Sequence, residues 1–296
     1  MKNITQYFKD HPLYVLLLAF PFAVMAKAFG WGAGWVFALS SLGVVPLAGL
    51  IGEATENLAS HTGPKLGGLI NASLGNAAEL IITLFAIKRG LLDLVKASIT
   101  GSIIGNLLFV LGLSLVVGGL KNGIQRFDRR HTVNYTILLG IALVGLVTPS
   151  LFSHSTTNGL TQKVEVLSLS VAGVMVLLYI LGTLFSLKAS VKEGIGTPTE
   201  KIVEEKPAWS VAKSLIVLGL VTGGVVWLSE LLVGSVEEVV AGTGISEFFL
   251  GIILVPIIGN IAEHLVAVKM AHKNKMELSM EIAISSSLQI ALFVAP

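Results

Sequence analysis

Two copies of one short motif decide the fold of this chain: Gly75-Asn76-Ala77-Ala78-Glu79 and Gly259-Asn260-Ile261-Ala262-Glu263. Each copy lies in the middle of a long apolar segment. A charged side chain at the centre of a bilayer costs about 2.5 kcal/mol or more, so it is rarely kept without a function. Two glutamates in the same apolar context therefore indicate a cation site inside a membrane.

The motif belongs to a longer internal duplication. Gly75 aligns with Gly259 without gaps at an offset of 184 residues, and other polar and glycine residues recur at the same offset. The further matches are Gly67 with Gly251, Glu53 with Glu237, Asp93 with Glu277, Ser102 with Ser286, and Leu108-Phe109-Val110 with Leu292-Phe293-Val294. Chance does not account for Gly, Asn, Glu and Ser matches at one fixed offset, so the sequence predicts two structural repeats.

The composition is that of a membrane protein. Hydrophobic residues make up 53% of the chain and charged residues 13%, against about 25% charged residues in soluble domains. The net charge of +2 does not indicate a nucleic-acid partner. The chain has no cysteine, which excludes disulfides and thiolate metal sites. The first apolar block lacks a small-residue cleavage site, so we interpret it as a retained span rather than a signal peptide.

The apolar blocks predict an all-α polytopic membrane protein, because lipid leaves no backbone group without an internal partner. We expect an extra transmembrane helix in residues 1–31, a first repeat of about five helices in 32–187, a cytoplasmic linker in 188–208, and a second, inverted repeat of about three helices in 209–296. The chain stops at Pro296 inside a predicted span, so we expect a fragment or an incomplete second repeat. The predicted spans are 12–30, 34–52, 66–87, 94–119, 132–150, 164–187, 210–234, 248–268 and 279–296.

The basic residues predict the orientation. With a cytoplasmic amino terminus, fifteen of the twenty Lys and Arg residues fall on the cytoplasmic side, as the positive-inside rule requires. The span carrying Glu79 then runs outward and the span carrying Glu263 runs inward. The two repeats are therefore expected to be antiparallel, with both motifs halfway across the membrane. The expected location is a bacterial-type inner membrane.

The two motifs supply oxygen ligands. In each motif Asn and Glu are three positions apart, so they share one face of a helix. The preceding glycine is expected to loosen the backbone and free carbonyl oxygens. Carboxylates, amide oxygens and carbonyls suit a hard cation such as calcium better than zinc or copper.

At this point the residues resemble a known family, the calcium/proton exchangers of the calcium/cation antiporter superfamily. The resemblance rests on the paired Gly-Asn-x-x-Glu motifs, on His264 after the second motif, and on the blocks Lys96-Ala97-Ser98-Ile99-Thr100-Gly101-Ser102-Ile103-Ile104-Gly105-Asn106 and Ser285-Ser286-Ser287-Leu288-Gln289-Ile290-Ala291-Leu292-Phe293. The similar sodium/calcium exchangers usually place a proline before the acidic residue. This chain has Ala78 and Ala262 there, which favours protons as the counter-ion.

The resemblance implies roles for individual residues. Glu79 and Glu263 would bind calcium and protons in turn, with Asn76 and Asn260 as neutral oxygen ligands. The remaining candidates are Ser102, Ser286 and Gln289 on the helices behind the site, Glu56 near the cytoplasmic mouth, and Glu53, Glu237 and Glu238 as weaker candidates for the entrances. His264 is a candidate for proton transfer, with a ligand role or an ordinary interior histidine as the alternatives.

These observations predict a secondary active antiporter, not an enzyme, that exchanges calcium for protons by alternating access. Its partners would be calcium and protons as substrates and the lipid bilayer, with no cofactor and no nucleic acid, and a homo-oligomer stays open. A sodium-coupled exchanger and a passive cation channel remain as alternatives. An intramembrane metallohydrolase does not fit, because the chain has no H-E-x-x-H motif. Alternating Glu and Lys in the linker also argue against calcium sensing there.

Overall fold

The computed structural model describes residues 12–127, 129–154, 161–193 and 208–296. Within these ranges the chain forms helices and no strand. The helices are α1 (Ala19–Ala28, preceded by a 3₁₀ segment, Pro12–Leu18), α2 (Ala33–Leu74), α3 (Ala77–Lys88), α4 (Leu92–Ile104), α5 (Leu111–Asn122), α6 (Arg129–His154), α7 (Thr161–Glu193), α8 (Val211–Thr243), α9 (Val255–His272) and α10 (Met276–Gln289). Three π-helical segments join them: Gly105–Val110, Leu250–Leu254 and Ile290–Val294.

Seven helical stretches in the described ranges are long and apolar enough to cross a membrane. They are Ala33–Thr62, Leu92–Asn122, Tyr135–Phe152, Lys163–Phe185, Val211–Thr243, Glu247–His272 and Met276–Val294, and a shorter apolar helix covers Leu13–Ala28. The predicted fold class, an all-α polytopic membrane protein, is therefore confirmed.

The predicted span 66–87 is not found as one continuous helix. Helix α2 ends at Leu74, a turn covers residues 75–76, and the short helix α3 begins at Ala77. The predicted connection at residues 61–65 lies inside α2 instead. Gly and Pro residues do not end helices in membranes as they do in water, so the sequence signal for a loop at that point was misleading.

The helix boundaries reproduce the predicted duplication. Helix α4 begins at Leu92 and α10 begins at Met276, which is the same offset of 184 residues. Helices α3 and α9 end at Lys88 and His272, again at that offset. A π-helical segment follows both α4 and α10. The two halves therefore share local structure as well as sequence.

The chain forms two compact units, each assembled from both halves of the sequence. Unit 1 comprises the described parts of Met1–Gly101 and Lys206–Ala262, and unit 2 those of Ser102–Glu205 and Glu263–Pro296. The division at 1–31, 32–187, 188–208 and 209–296 remains a prediction. Of the predicted linker, residues 188–193 belong to α7, and residues 194–207 lie outside the described residues.

Unit 1 has one apolar core, in which α2 packs along α8. Its fully buried side chains include Val44 of α2, and Leu228 and Leu232 of α8. Unit 2 has two smaller clusters around α10, one with Met276, Met280 and Ile284 and one with Ala283. These cores hold the motif-bearing helices of each unit in place.

Candidate cation-binding site

Glu79 lies at the start of a helix that begins immediately after the first motif's glycine and asparagine. Asn76 has φ −99° and ψ 22°, outside the helical region, and Glu79 falls in the first turn of α3. The expectation that the glycine loosens the backbone is therefore confirmed at Gly75. The side chain of Glu79 is completely buried, and the amino-terminal end of a helix stabilises a negative charge placed there.

The partner of Glu79 comes from the second motif. Asn260 Nδ2 donates a hydrogen bond to Glu79 Oε2 at 3.2 Å and another to the Pro256 carbonyl oxygen at 3.1 Å. Helix α9 passes close to this carboxylate, since a Cβ built on Gly259 would lie 3.5 Å from Glu79 Cβ. The two motifs therefore meet inside unit 1, through an amide of one and a carboxylate of the other.

Helix α9 is continuous through the second motif. The expectation that glycine frees carbonyl oxygens is therefore wrong at Gly259. The physical reason is Pro256, which lies in the first turn of α9, where proline is tolerated and starts a helix. The hydrogen bond from Asn260 to the Pro256 carbonyl then fastens the motif to the preceding turn.

Glu263 lies in unit 2, in different surroundings. The residue is half-buried, and its Oε2 atom is shielded from solvent with no hydrogen-bond partner among the described residues. Its carboxylate does bond the Ser286 hydroxyl of α10. A buried oxygen without a partner forfeits about 1–3 kcal/mol, so Oε2 is an open ligand position for a cation or a proton.

A chain of polar side chains extends from Glu263 through unit 2. Asn106 Nδ2 donates to Ser286 Oγ at 3.0 Å, and His264 Nε2 lies 2.9 Å from Asn106 Oδ1. Because an amide oxygen only accepts, His264 Nε2 carries the proton and donates it to Asn106. The Ser286 oxygen receives the Asn106 donor, which leaves the Ser286 proton to bond Glu263. His264, Asn106, Ser286 and Glu263 thus form one oriented network.

Asn106 was missed as a site residue from the sequence. It ends the quoted block of the first repeat, but its partner at the offset of 184 is Ile290, so the duplication does not mark it. A buried asparagine beside a π-helical segment was the available signal.

The other candidates fall in both units. Asn76 in unit 1 and Ser102 in unit 2 are buried, and Gln289 in unit 2 is half-buried. Glu56 is exposed on α2, as are Glu237 and Glu238 on α8, and Glu53 accepts a hydrogen bond from the Tyr14 hydroxyl. The network around the two motif glutamates does not include these four acidic residues.

The chemistry of the site is that of single carboxylates with neutral donors. In the described ranges no group of three or more His, Cys, Asp or Glu residues could hold a metal ion. The groups that contact Glu79 and Glu263 are amides and hydroxyls. Such a ligand set binds a hard cation through oxygen and leaves the carboxylates to be neutralised by protons when the cation is gone.

Comparison with known proteins gives a consistent set of relatives. The profile of the family described as "Sodium/calcium exchanger protein" matches residues 32–188 and 213–296. The Ca(2+)/H(+) antiporter ChaA of Bacillus subtilis is 44% identical over 284 residues, which covers 93% of this chain and 78% of the relative. The vacuolar cation/proton exchanger 1a of Oryza sativa subsp. japonica is 38% identical over 309 residues, with 100% and 68% covered.

A solved structure also matches. The structure of native YfkE superposes with a TM-score of 0.80 at 39% sequence identity, and the match covers 96% of this chain and 80% of that chain.

Proposed function

The chain belongs to the sodium/calcium exchanger protein family, and from this premise we propose that it is a secondary active antiporter that exchanges calcium for protons across a membrane. The observation that carries the proposal is the completely buried carboxylate of Glu79, bonded to the Asn260 amide from the second motif. The name of the Bacillus subtilis relative, a Ca(2+)/H(+) antiporter, supports protons as the counter-ion. So does alanine at positions 78 and 262.

Glu79 and Glu263 bind the cation and the protons in turn. Calcium requires ionised carboxylates, and the open Oε2 of Glu263 is available to it. The amide oxygens of Asn76 and Asn260 and the side chains of Ser102, Ser286 and Gln289 are the proposed neutral ligands. Glu56 is proposed to act earlier, where the ion enters, because it is exposed on α2.

Competition for these carboxylates couples the two fluxes. An ionised carboxylate without a counter-charge is expensive inside a membrane, whereas a protonated or calcium-bound one is neutral. Alternating access therefore proceeds with either calcium or protons bound and is suppressed when the site is empty and ionised. The oriented hydrogen bonds from His264 to Glu263 give a proton an ordered route, in which His264 is the proposed relay.

The test is calcium uptake into sealed proteoliposomes with an imposed pH gradient and no sodium. Uptake that follows the pH gradient, and that stops when a protonophore collapses it, supports calcium/proton exchange. Uptake that requires an imposed sodium gradient instead would establish the sodium-coupled alternative. Calcium flux that never runs uphill and is accompanied by conductance would establish a channel.

The proposed orientation has a cytoplasmic amino terminus and inverted repeats. The native chain has no cysteine, so single cysteines report topology cleanly. Lys88 and Lys273 are exposed and follow the two motif-bearing helices at nearly the same distance. Lys88→Cys and Lys273→Cys are expected to react with an impermeant thiol reagent from opposite sides of the membrane. Reaction of both from the same side would contradict the inverted arrangement.

A further inference from the structure

Helix α10 carries a row of polar residues along one face. Glu277, Glu281, Ser285 and Gln289 follow one another at intervals of four residues, so they lie nearly in line along the helix. Glu277 is exposed and the other three are half-buried. At 1.5 Å per residue the row is about 18 Å long. We call these four residues the α10 row.

The rest of α10 is almost entirely buried. Only Ile282 among the other residues of the helix is also half-buried. The buried residues are Met276, Leu278, Ser279, Met280, Ala283, Ile284, Ser286, Ser287 and Leu288. The polar row is therefore a narrow accessible face on an otherwise enclosed transmembrane helix.

Hydrogen bonds connect members of the row to each other and to α6. Gln289 Nε2 donates to Ser285 Oγ at 3.4 Å, and the Tyr135 hydroxyl donates to Glu281 Oε1 at 3.3 Å. Glu281 lies inside the membrane-spanning stretch Met276–Val294. A carboxylate at that position calls for a functional explanation, and the proposed ligand set does not include it.

The matching face of α4 in the first repeat is built differently. At the offset of 184 residues, Glu281 and Ser285 correspond to Ala97 and Gly101, which are both buried. A Cβ on Gly101 would lie 2.2 Å from the Ile252 carbonyl oxygen, and a Cβ on Gly251 would lie 2.7 Å from Ala97 Cβ. Close packing of small residues is a common use of this kind of helix face in membranes. The repeat fold therefore does not require polar residues there, and α10 has them for another reason.

We propose that the α10 row is an access path for calcium in unit 2, from the membrane surface at Glu277 to Gln289, with Glu281 as an intermediate binding site. Hydrated calcium keeps flexible oxygen coordination. It is bound in passing by the Glu281 carboxylate, the Ser285 hydroxyl and the Gln289 amide oxygen. The Tyr135 hydroxyl holds the Glu281 carboxylate in place. This inference rests on the proposed function, since it assigns the route by which the exchanged cation enters.

The first experiment tests access without transport. Glu281→Cys, Ser285→Cys and Gln289→Cys are introduced singly into the full chain, which has no native cysteine. Ser279→Cys and Ser287→Cys serve as matched controls, because both serines are completely buried on the same helix. We expect an impermeant, positively charged thiol reagent to label the three row positions at least about tenfold faster than the controls, because a negatively lined cleft concentrates cations. Calcium should slow the labelling. Equal labelling of Ser285→Cys and Ser287→Cys would overturn the path.

The second experiment tests Glu281 in transport. Glu281→Gln keeps an acceptor for Tyr135 and removes the charge. It is expected to raise the calcium concentration that half-saturates uptake from the Lys273 side by about threefold to tenfold, without lowering the maximal rate. Glu165→Gln removes the same charge from an exposed position at the start of α7 and should leave this concentration unchanged. Tyr135→Phe should give a smaller increase than Glu281→Gln.

The outcomes separate this inference from the proposed function. If the parent protein shows no uptake driven by a pH gradient, the proposed function fails, and the labelling pattern still decides whether the row is accessible to water. If the parent transports calcium but Glu281→Gln behaves like Glu165→Gln, Glu281 is not a binding site on the path.

Discussion

The two copies of the Gly-Asn-x-x-Glu motif place their glutamates in different surroundings. Glu79 is completely buried at the start of a short helix, and the Asn260 amide donates to it. Glu263 is half-buried within a continuous helix, with one oxygen bonded to Ser286 and the other without a partner among the described residues. One motif thus produces a carboxylate held by an amide and a carboxylate with an open coordination position.

This difference indicates a division of labour within a duplicated protein. Duplication supplies two carboxylates of the same chemistry, and the neighbouring residues then differentiate them. Pro256 has no proline at the matching position 72, which is alanine, and Asn106 has no asparagine at position 290. The asymmetry therefore comes from residues just outside the motifs.

The largest expected effect comes from removing either charge. Glu79→Gln and Glu263→Gln keep size and hydrogen-bonding capacity. Loss of one partner of a buried charge interaction costs about 3–5 kcal/mol, so calcium uptake should fall about a hundredfold or more in both variants. Uptake driven by a pH gradient is the measurement, with Glu165→Gln as the matched control and the amount of folded protein determined for each. Substantial exchange in either variant would show that the two glutamates do not share the task.

A smaller and unequal effect is expected from the two asparagines. Asn260→Ala removes a hydrogen bond to a buried carboxylate, worth about 1.5–3 kcal/mol, so uptake at subsaturating calcium should fall about tenfold or more. Asn106→Ala removes bonds between neutral groups, worth about 0.5–1.5 kcal/mol, so the reduction should be about tenfold at most. Initial uptake rates give the comparison. A larger effect of Asn106→Ala would reverse the assignment of the more tightly held carboxylate.

The smallest expected effect concerns stability rather than transport. Gly101→Ala places a Cβ against the Ile252 carbonyl oxygen, whereas Gly105→Ala, four residues later in the chain, meets nothing within 4 Å. Overpacking costs about 1–3 kcal/mol, and alanine is favoured over glycine in a helix by up to about 1 kcal/mol. Thermal unfolding in detergent should therefore show a lower Tm for Gly101→Ala only. Equal Tm values would contradict the close packing of the α4 face.

Repeats and residue chemistry made much of this structure predictable. The offset of 184 residues already fixed where α4 and α10 begin relative to each other, and the buried Asn and Glu residues follow from their place in apolar segments. The contact from Asn260 to Glu79 was not predictable in the same way. Helical periodicity relates residues within one motif, whereas this bond joins residues 181 positions apart and depends on how the helices pack.

The break and the network have similar explanations. Both motifs contain Gly-Asn, and the helix breaks at only one of them because Pro256 starts α9 ahead of the second. Asn106 was missed because the duplication does not repeat it, although it connects His264 with Ser286. Local sequence fixes which side chains can bond, and tertiary packing selects the ones that do.

The central claim is that the same carboxylates hold calcium and protons in turn, and calcium binding to the purified protein tests it most directly. Because bound calcium requires deprotonated ligands, the apparent affinity should fall as pH falls, and binding in a weakly buffered solution should release protons. Glu79→Gln and Glu263→Gln should each reduce the number of protons released. An affinity that stays constant across the range in which the carboxylates titrate, with no proton release, would contradict the account.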